Sequence, residues 1–189
     1  AILPSLGPLS GGTEVQVVGK GLGGVQAVCL FGTLQAVEAR LSRSSTVLWC
    51  TSPARSAEGS VALEVSVDGM EFSADGHRFL QYEPEAVVQV LPSAGSAGRA
   101  HVVQVVGKHF RHEQAACVVQ GEHRSSASWR SSTVVECMMP ALAAGRVTVQ
   151  VSNNGVDYSK DQLGGEAVFE YREGVRAIRL APSIGPVQG

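Results

Sequence analysis

The chain has 189 residues, with 15 Lys and Arg against 17 Asp and Glu, a formal net charge of -2, and 44% hydrophobic, 5% aromatic and 17% charged residues. That balance sets up no field to gather nucleic-acid phosphates or an anionic membrane, so neither is an expected partner. The apolar fraction is that of a folded chain, yet no apolar run reaches the ~18 residues that cross a bilayer. Residues 1–10 lack the charged and apolar regions of a signal peptide, so the chain is expected to be a piece of something longer.

An internal repeat organises everything that follows. Ile2-Leu3-Pro4-Ser5 recurs as Val90-Leu91-Pro92-Ser93, and Gln16-Val17-Val18-Gly19-Lys20 recurs letter for letter as Gln104 to Lys108, both at an offset of 88. Arg43-Ser44-Ser45-Thr46-Val47 with Cys50 recurs as Arg130 to Val134 with Cys137 at 87, and Ser66 to Ser73 matches Ser152 to Ser159 at 86. The drift implies small loop deletions. Leu180-Ala181-Pro182-Ser183-Ile184-Gly185-Pro186 replays Leu3 to Pro8 once more with one insertion, which predicts the first strand of a third repeat.

Each repeat has the periodicity of strands. Val61, Leu63, Val65 and Val67 alternate with Ala62, Glu64 and Ser66, and Val147, Val149 and Val151 alternate with Thr148, Gln150 and Ser152. Asp68-Gly69 and Asn154-Gly155 then supply residues that accept positive φ, a hairpin signal. No segment shows an amphipathic helical stripe with caps. Several short strands in about 88 residues, broken by Gly, Pro and Ser clusters, predict an all-β chain of small antiparallel sandwiches. Phe79 and Tyr82 close the first unit and Val87 to Leu91 open the next, so the domains are 1–84 and 85–173, with 174–189 a linker and the first strand of a third repeat. The connection is short, so the two domains are expected to be held end to end.

These residues resemble the IPT/TIG domains, immunoglobulin-like modules of the E-set type found in plexins, scatter-factor receptors, fibrocystin-type surface proteins, Rel-type transcription factors and some polysaccharide enzymes. The resemblance is carried by Pro4 to Pro8 with Gly11-Gly12-Thr13, Val17-Val18-Gly19, Cys29 with Phe31-Gly32, Cys50 with Pro53, and the segment from Val65-Ser66 to Phe72-Ser73. It covers both repeats. Repeat 2 departs from it where Ala94-Gly95-Ser96 replaces the Gly-Pro turn and Val118-Val119-Gln120 replaces Leu30-Phe31-Gly32. The fold implied is two tandem immunoglobulin-like (IPT/TIG, E-set) antiparallel β-sandwiches.

Each repeat holds two cysteines at matching places, Cys29 and Cys50 in the first and Cys117 and Cys137 in the second. Metal ligation normally uses closely spaced pairs, which are absent here, so two intradomain disulfides are expected, with reduced core cysteines as the alternative. Disulfides imply an oxidising, extracellular or cell-surface location. Family members with such cysteine pairs are typically surface or secreted proteins, whereas the transcription-factor branch is intracellular.

Catalytic and cofactor signals are weak. Gly19-Lys20-Gly21-Leu22-Gly23-Gly24 has dinucleotide-loop spacing, but repeat 2 reads Gly107-Lys108-His109-Phe110-Arg111-His112 there and no helix follows in either copy, so no cofactor is expected. His109, His112 and Glu113 read as a solvated polar turn rather than metal ligands, because loop spacing does not converge them. No nucleophile signature is present, and the chain is not expected to be an enzyme. Nor is there an Asn-x-Ser/Thr glycosylation site.

One surface residue stands out. If Cys50 points inward, alternation carries Leu48 and Thr46 with it and sends Val47 and Trp49 to the other face, making Trp49 a candidate partner contact, a residue laid over a neighbouring arginine, or one packed at the junction between repeats. Trp129, aligned with Leu41, is expected in the core. Together these features predict a non-catalytic, disulfide-stapled rod segment of a large surface or secreted protein, whose partners are other domains of the same array and a protein at the cell surface. Two alternatives are an accessory domain of a polysaccharide-processing enzyme and an intracellular DNA-binding type, the latter requiring a basic loop cluster that is absent.

Overall fold

A computed structural model describes residues 1–24, 26–33, 36–43, 46–159, 167–174 and 179. The expected third-repeat strand at Leu180 to Pro186 lies outside the described residues, as do Ser44 and Ser45 of the repeated Arg-Ser-Ser-Thr-Val motif. Among the described residues every regular element is a strand.

In repeat 1 the first strand changes sheets at a proline. β1 (Ile2–Leu3) pairs antiparallel with β3 (Glu14–Val18), and after Pro4-Ser5 the chain continues as β2 (Leu6–Pro8), which pairs with β8 (Arg78–Tyr82) of the facing sheet. The β2–β8 pairing is parallel, because the switched strand keeps its direction and meets the last strand of the repeat running alongside it. The other strands are β4 (Val28–Phe31), β5 (Val37–Leu41), β6 (Val47–Thr51) and β7 (Gly59–Ser66). One layer runs β1-β3-β6-β5 and the other β4-β7-β8-β2, with β5 also pairing β4 at Cys29↔Val37 and so joining the layers into one eight-stranded order.

Repeat 2 copies this plan. β9 (Ala86–Leu91) pairs β11 (His101–Lys108), then β10 (Ala94–Ser96), beyond Pro92-Ser93, pairs in parallel with β17 (Val168–Arg172). The remaining strands are β12 (Ala116–Val119), β13 (His123–Ser126), β14 (Ser128–Ser131), β15 (Val134–Met139) and β16 (Gly145–Ser152). The counterpart of β5 is here broken at Ala127 into β13 and β14, which edge separate sheets ordered β10-β17-β16-β12-β13 and β14-β15-β11-β9.

The alternation expected from sequence is met along most of each strand but ends at Ser66 and Ser152, which are 2% and 0% exposed where the outer face was expected, while Val67 is only half-buried. Val147, Val149 and Val151 are buried, and Leu63 is buried with Val61 and Val65 packed against the same core. Phe31 meets Phe79 edge-on at 5.3 Å, and Phe169 meets Tyr171 at 4.9 Å, so aromatic pairs fill cores otherwise built of Val and Leu. The expected disulfides are present and cross each sandwich from one layer to the other, Cys29 on β4 to Cys50 on β6 and Cys117 on β12 to Cys137 on β15. All four sulfurs belong to residues at most 1% exposed. Closing loops of 21 and 20 residues stabilises each thin core by roughly 3 kcal/mol on the chain-entropy model.

Two expectations change. The Asp68-Gly69 and Asn154-Gly155 turns are wider than two-residue hairpins: the chain returns only at Ser73, whose amide donates to Val65 O at 2.9 Å, and at Ser159, whose amide donates to Val151 O at 2.7 Å. The cause is local, since Ser and Asx side chains capture the turn amides that a tight hairpin would leave to the ladder. Trp129 is not a core residue. It is 38% exposed and its aligned partner Leu41 is 39% exposed. Trp129 lies on edge strand β14, with no further strand paired beyond it among the described residues, and its indole N–H reaches over the rim to donate to Phe110 O at 3.1 Å.

On β6 the alternation separates neighbours: Leu48 and Cys50 are buried, whereas Val47 and Trp49 are half-buried on the outer face. Trp49 stands opposite Gln16 on β3 and Arg40 on β5, and Arg40 is itself drawn to Glu14 at 2.5 Å. Leu48→Ala should therefore cost about 2–5 kcal/mol in urea unfolding, and Trp49→Ala, one residue away, only about 1 kcal/mol. Equal losses would place Trp49 in the core.

Candidate functional site

The densest polar cluster lies where the two repeats meet, and it begins with a turn. After β16, Ser152 Oγ accepts the amides of Asn154 at 3.2 Å and Gly155 at 2.8 Å, and Asn154 Oδ1 accepts those of Val156 at 3.0 Å and Asp157 at 2.8 Å. With its oxygen committed to the turn, Asn154 turns its amide group outward. Nδ2 donates to Leu6 O of repeat 1 at 3.1 Å and to Asp157 Oδ2 at 2.8 Å. Thr13 Oγ1 of repeat 1 donates to the same carboxylate oxygen at 2.7 Å. Thr13 and Asn154 are 0% and 3% exposed, so these bonds form away from water, where each unpaired group would be costly.

Asn153 performs the same service for the linker. Its Oδ1 accepts the amide of Arg111 at 2.8 Å, and Nδ2 donates to His109 O at 2.7 Å and to Glu85 Oε2 at 3.1 Å. The His109 ring, held on a residue with φ 59°, donates from Nδ1 to Pro84 O at 3.1 Å. Arg111 lays its guanidinium 5.7 Å from the centre of the Tyr82 ring, the last residue of β8. Only Glu83, Pro84 and Glu85 separate β8 from β9, and the His109–Pro84 and Asn153–Glu85 bonds clamp that short connection.

The electrostatics are acidic. A cavity of about 340 Å³ opens between the repeats, lined among others by Pro8, Gly11, Glu85 and Asp157. Burial pushes the Glu85 carboxyl up to about 7, against the pull of hydrogen bonds at its own backbone and at Asn153, and the Asp157 charge adds to the rise. The Tyr82 hydroxyl is likewise raised, by burial first and by Glu85 and Asp157 next, with Arg111 opposing. Tyr82 Oη is buried without a hydrogen-bond partner among the described residues.

The residues singled out from sequence distribute as follows. The four cysteines are inside the sandwiches and Trp49 lies on the outer face of repeat 1. His109 enters the junction, but His112 packs edge-on against Trp129 at 5.8 Å and Glu113 sits 3.8 Å from Arg111 Nε, so the three side chains point to separate partners. The Gly19–Gly24 segment folds over its own Leu22, which is 6% exposed in the core. Sequence reasoning did not anticipate the junction. Its signal was the pair Asn153-Asn154, the only asparagines in the chain, since two adjacent side-chain amides beside a turn demand partners when buried.

The family model described as the IPT/TIG domain matches residues 1–80 and 86–171. Two structures of the plexin A4 full extracellular region resemble the chain, one with TM-score 0.53 and 21% identity over 77% of this chain and 14% of that one, the other with 0.47 and 15% over 91% and 18%. SGBP-B of the Bacteroides ovatus mixed-linkage glucan utilization locus, in complex with a mixed-linkage heptasaccharide, gives 0.36 and 16% over 86% and 43%. The likeness to the first is one of fold, and this chain spans a small part of it. No curated protein matches the chain.

Because Glu85 ionises about 7 in the folded protein and near 4.5 otherwise, the folded state holds the extra proton between those values. Its contribution is most favourable below 4.5, is lost as pH rises through 7, and is constant above that. Urea unfolding of wild type against Glu85→Gln should show a difference growing by up to about 3 kcal/mol across that window, the variant being the flatter. A wild-type profile parallel to that of the variant would show Glu85 to ionise normally.

Proposed function

The chain belongs to the IPT/TIG domain family, and from that premise we propose that it is a non-catalytic structural and adhesive module, a stiff segment in the extracellular part of a surface or secreted protein. The observation that carries the reading is the junction. A rod needs each unit to hold the next at a set angle, and here a buried turn of repeat 2 is hydrogen-bonded to the backbone and side chain of repeat 1 across a three-residue connection. The two buried cross-layer disulfides support an oxidising compartment, because they stabilise thin cores that reducing conditions would strip of that support. Among the described residues no group of three or more His, Cys, Asp or Glu side chains gathers as a metal site.

In this reading the partners are the neighbouring domains of the same array and a protein at the cell surface. Trp49 is the contact we propose for the latter. Repeat 2 carries Glu136 at the same place, closed off by Arg130 at 2.6 Å, so only repeat 1 offers an aromatic ring on that face. Aromatic side chains with one face free are enriched as interface anchors.

The stiffness is tested by scattering. Asn154→Asp keeps the turn, since Asp68 builds the same turn in repeat 1, but it removes the donor to Leu6 O and sets a carboxylate beside Asp157. Small-angle X-ray scattering of the wild-type chain should fit one end-to-end arrangement, and the variant should fit a broad ensemble. Identical profiles for both would reject the clamp. Thiol labelling of the protein taken from its native source tests the location, and four free thiols there would overturn it.

A further inference from the structure

Asn153 and Asn154 both lie in the turn that seats repeat 2 on repeat 1, and of the two only Asn154 is followed by glycine. Asparagine is a chemically labile residue, and most so before glycine. With no side chain on the next residue, nothing hinders its backbone nitrogen from reaching the amide carbon, and the freedom of glycine lets the chain take the shape that attack needs.

The turn restrains each atom of that reaction. The nucleophile is the Gly155 nitrogen, whose N–H donates to Ser152 Oγ at 2.8 Å. The electrophile is Asn154 Cγ, whose oxygen accepts the amides of Val156 and Asp157 and the Ser152 hydroxyl. The leaving group is Nδ2, tied to Leu6 O of repeat 1 at 3.1 Å and to Asp157 Oδ2 at 2.8 Å. Thr13 of repeat 1 holds that same carboxylate at 2.7 Å, so the leaving group is fully locked only while the repeats are together. Asn154 is 3% exposed, which also shuts out the water that the reaction consumes.

Repeat 1 carries the product side chain in the matching turn. Asp68 precedes Gly69, and its Oδ1 accepts the amides of Met70 at 2.9 Å and Glu71 at 3.1 Å, just as Asn154 Oδ1 accepts two amides of its own turn. The turn therefore tolerates an aspartate, and there the residue is exposed. The junction does not tolerate one. At position 154 a carboxylate oxygen would face Leu6 O and Asp157 Oδ2 where Nδ2 now donates, exchanging two attractions for two repulsions beside a cavity that already holds Glu85.

We propose that Asn154-Gly155 is a site of spontaneous deamidation, protected by the closed junction and released when the repeats part, so that an opened joint is converted into one that no longer closes. A base takes the Gly155 amide proton, the nitrogen attacks Asn154 Cγ, and the new C–N bond forms as the bond from Cγ to Nδ2 breaks. The departing nitrogen takes up a proton from water and leaves as ammonia. A second water opens the cyclic imide at either carbonyl, giving aspartate or, with the backbone rerouted through the side chain, isoaspartate. The sum is an amide and water going to a carboxylate and ammonium. The proposal rests on the reading of the junction as a clamp and adds the chemistry by which that clamp is lost.

Peptide mapping by mass spectrometry of the whole chain, incubated at mildly alkaline pH, tests it, with the same chain unfolded in guanidinium chloride as the reference. Asn154 should lose its amide about tenfold or more slowly in the folded chain, because reaction waits on opening. Thr13→Val takes one bond from the junction and should speed the loss about fivefold, the factor that a single hydrogen bond supplies. Ser152→Ala frees the Gly155 N–H and should speed it as well, folding of both variants being checked by urea unfolding. Asn153, followed by asparagine, is the internal control and should keep its amide. The deamidated fraction, separated by anion exchange, should scatter as a broad ensemble. A folded chain that loses the Asn154 amide as fast as the unfolded one, or rates that neither substitution changes, would overturn the proposal. The clamp is read separately, from the scattering of freshly made Asn154→Asp, which involves no deamidation.

Discussion

A buried side-chain amide has two donors and an acceptor to satisfy, and at the junction this requirement decides how the repeats sit. Asn154 commits its oxygen to two amides of its own turn, which leaves Nδ2 facing a carbonyl of repeat 1 and the Asp157 carboxylate. Asn153 does the same between the His109 carbonyl, the Arg111 amide and the linker carboxylate of Glu85. Moving the repeats apart would strand the Asn154 amide and the Thr13 hydroxyl in a poorly solvated gap or demand that water replace both cross-repeat bonds at once. Hydrogen-bond geometry at Asn154 and Thr13 therefore helps to fix the relative placement of the domains.

That arrangement gathers negative charge. Glu85 and Asp157 share one cavity, the nearest guanidinium being spent on the Tyr82 face and on Glu113. The result is a carboxyl that ionises about 7 rather than in the usual acidic range, driven chiefly by its burial. The Glu85 carboxyl consequently makes the energetics of the junction depend on pH near neutrality.

The two repeats show how one scaffold accepts different side chains when the roles are kept. Gln81 Nε2 donates to Pro53 O at 2.7 Å, and at the equivalent place the Tyr171 hydroxyl donates to Pro140 O, so an amide and a phenol tie down the same connection. Gly32 and Gln120 both take positive φ at the end of the strand that carries the first cysteine, glycine without strain and glutamine against it, which is why repeat 2 departs from the pattern there and still turns. Outer-face positions diverge further, as Trp49 against Glu136 illustrates, because packing does not constrain them.

Much of a single repeat was legible from the residues alone. Period-two runs such as Val147 to Val151 specify a strand with one buried face, because a slip of one position would expose every valine. The matched cysteines specify a staple because each falls at the same point of a repeated pattern. Trp129 was misplaced by alignment with Leu41, since exposure at a sheet edge depends on what lies alongside, and sequence order does not say. The junction was likewise invisible. Ser66 to Glu71 and Ser152 to Asp157 follow the same local chemistry and fold into the same turn, yet Asn154 is 3% exposed whereas its counterpart Asp68 is exposed. The turn itself follows from short-range hydrogen bonding that the sequence determines. Whether it meets a neighbour, and so whether Asn154 reaches Leu6 and Glu85 is driven from water, was decided only when the chain brought residues up to 148 positions apart into contact.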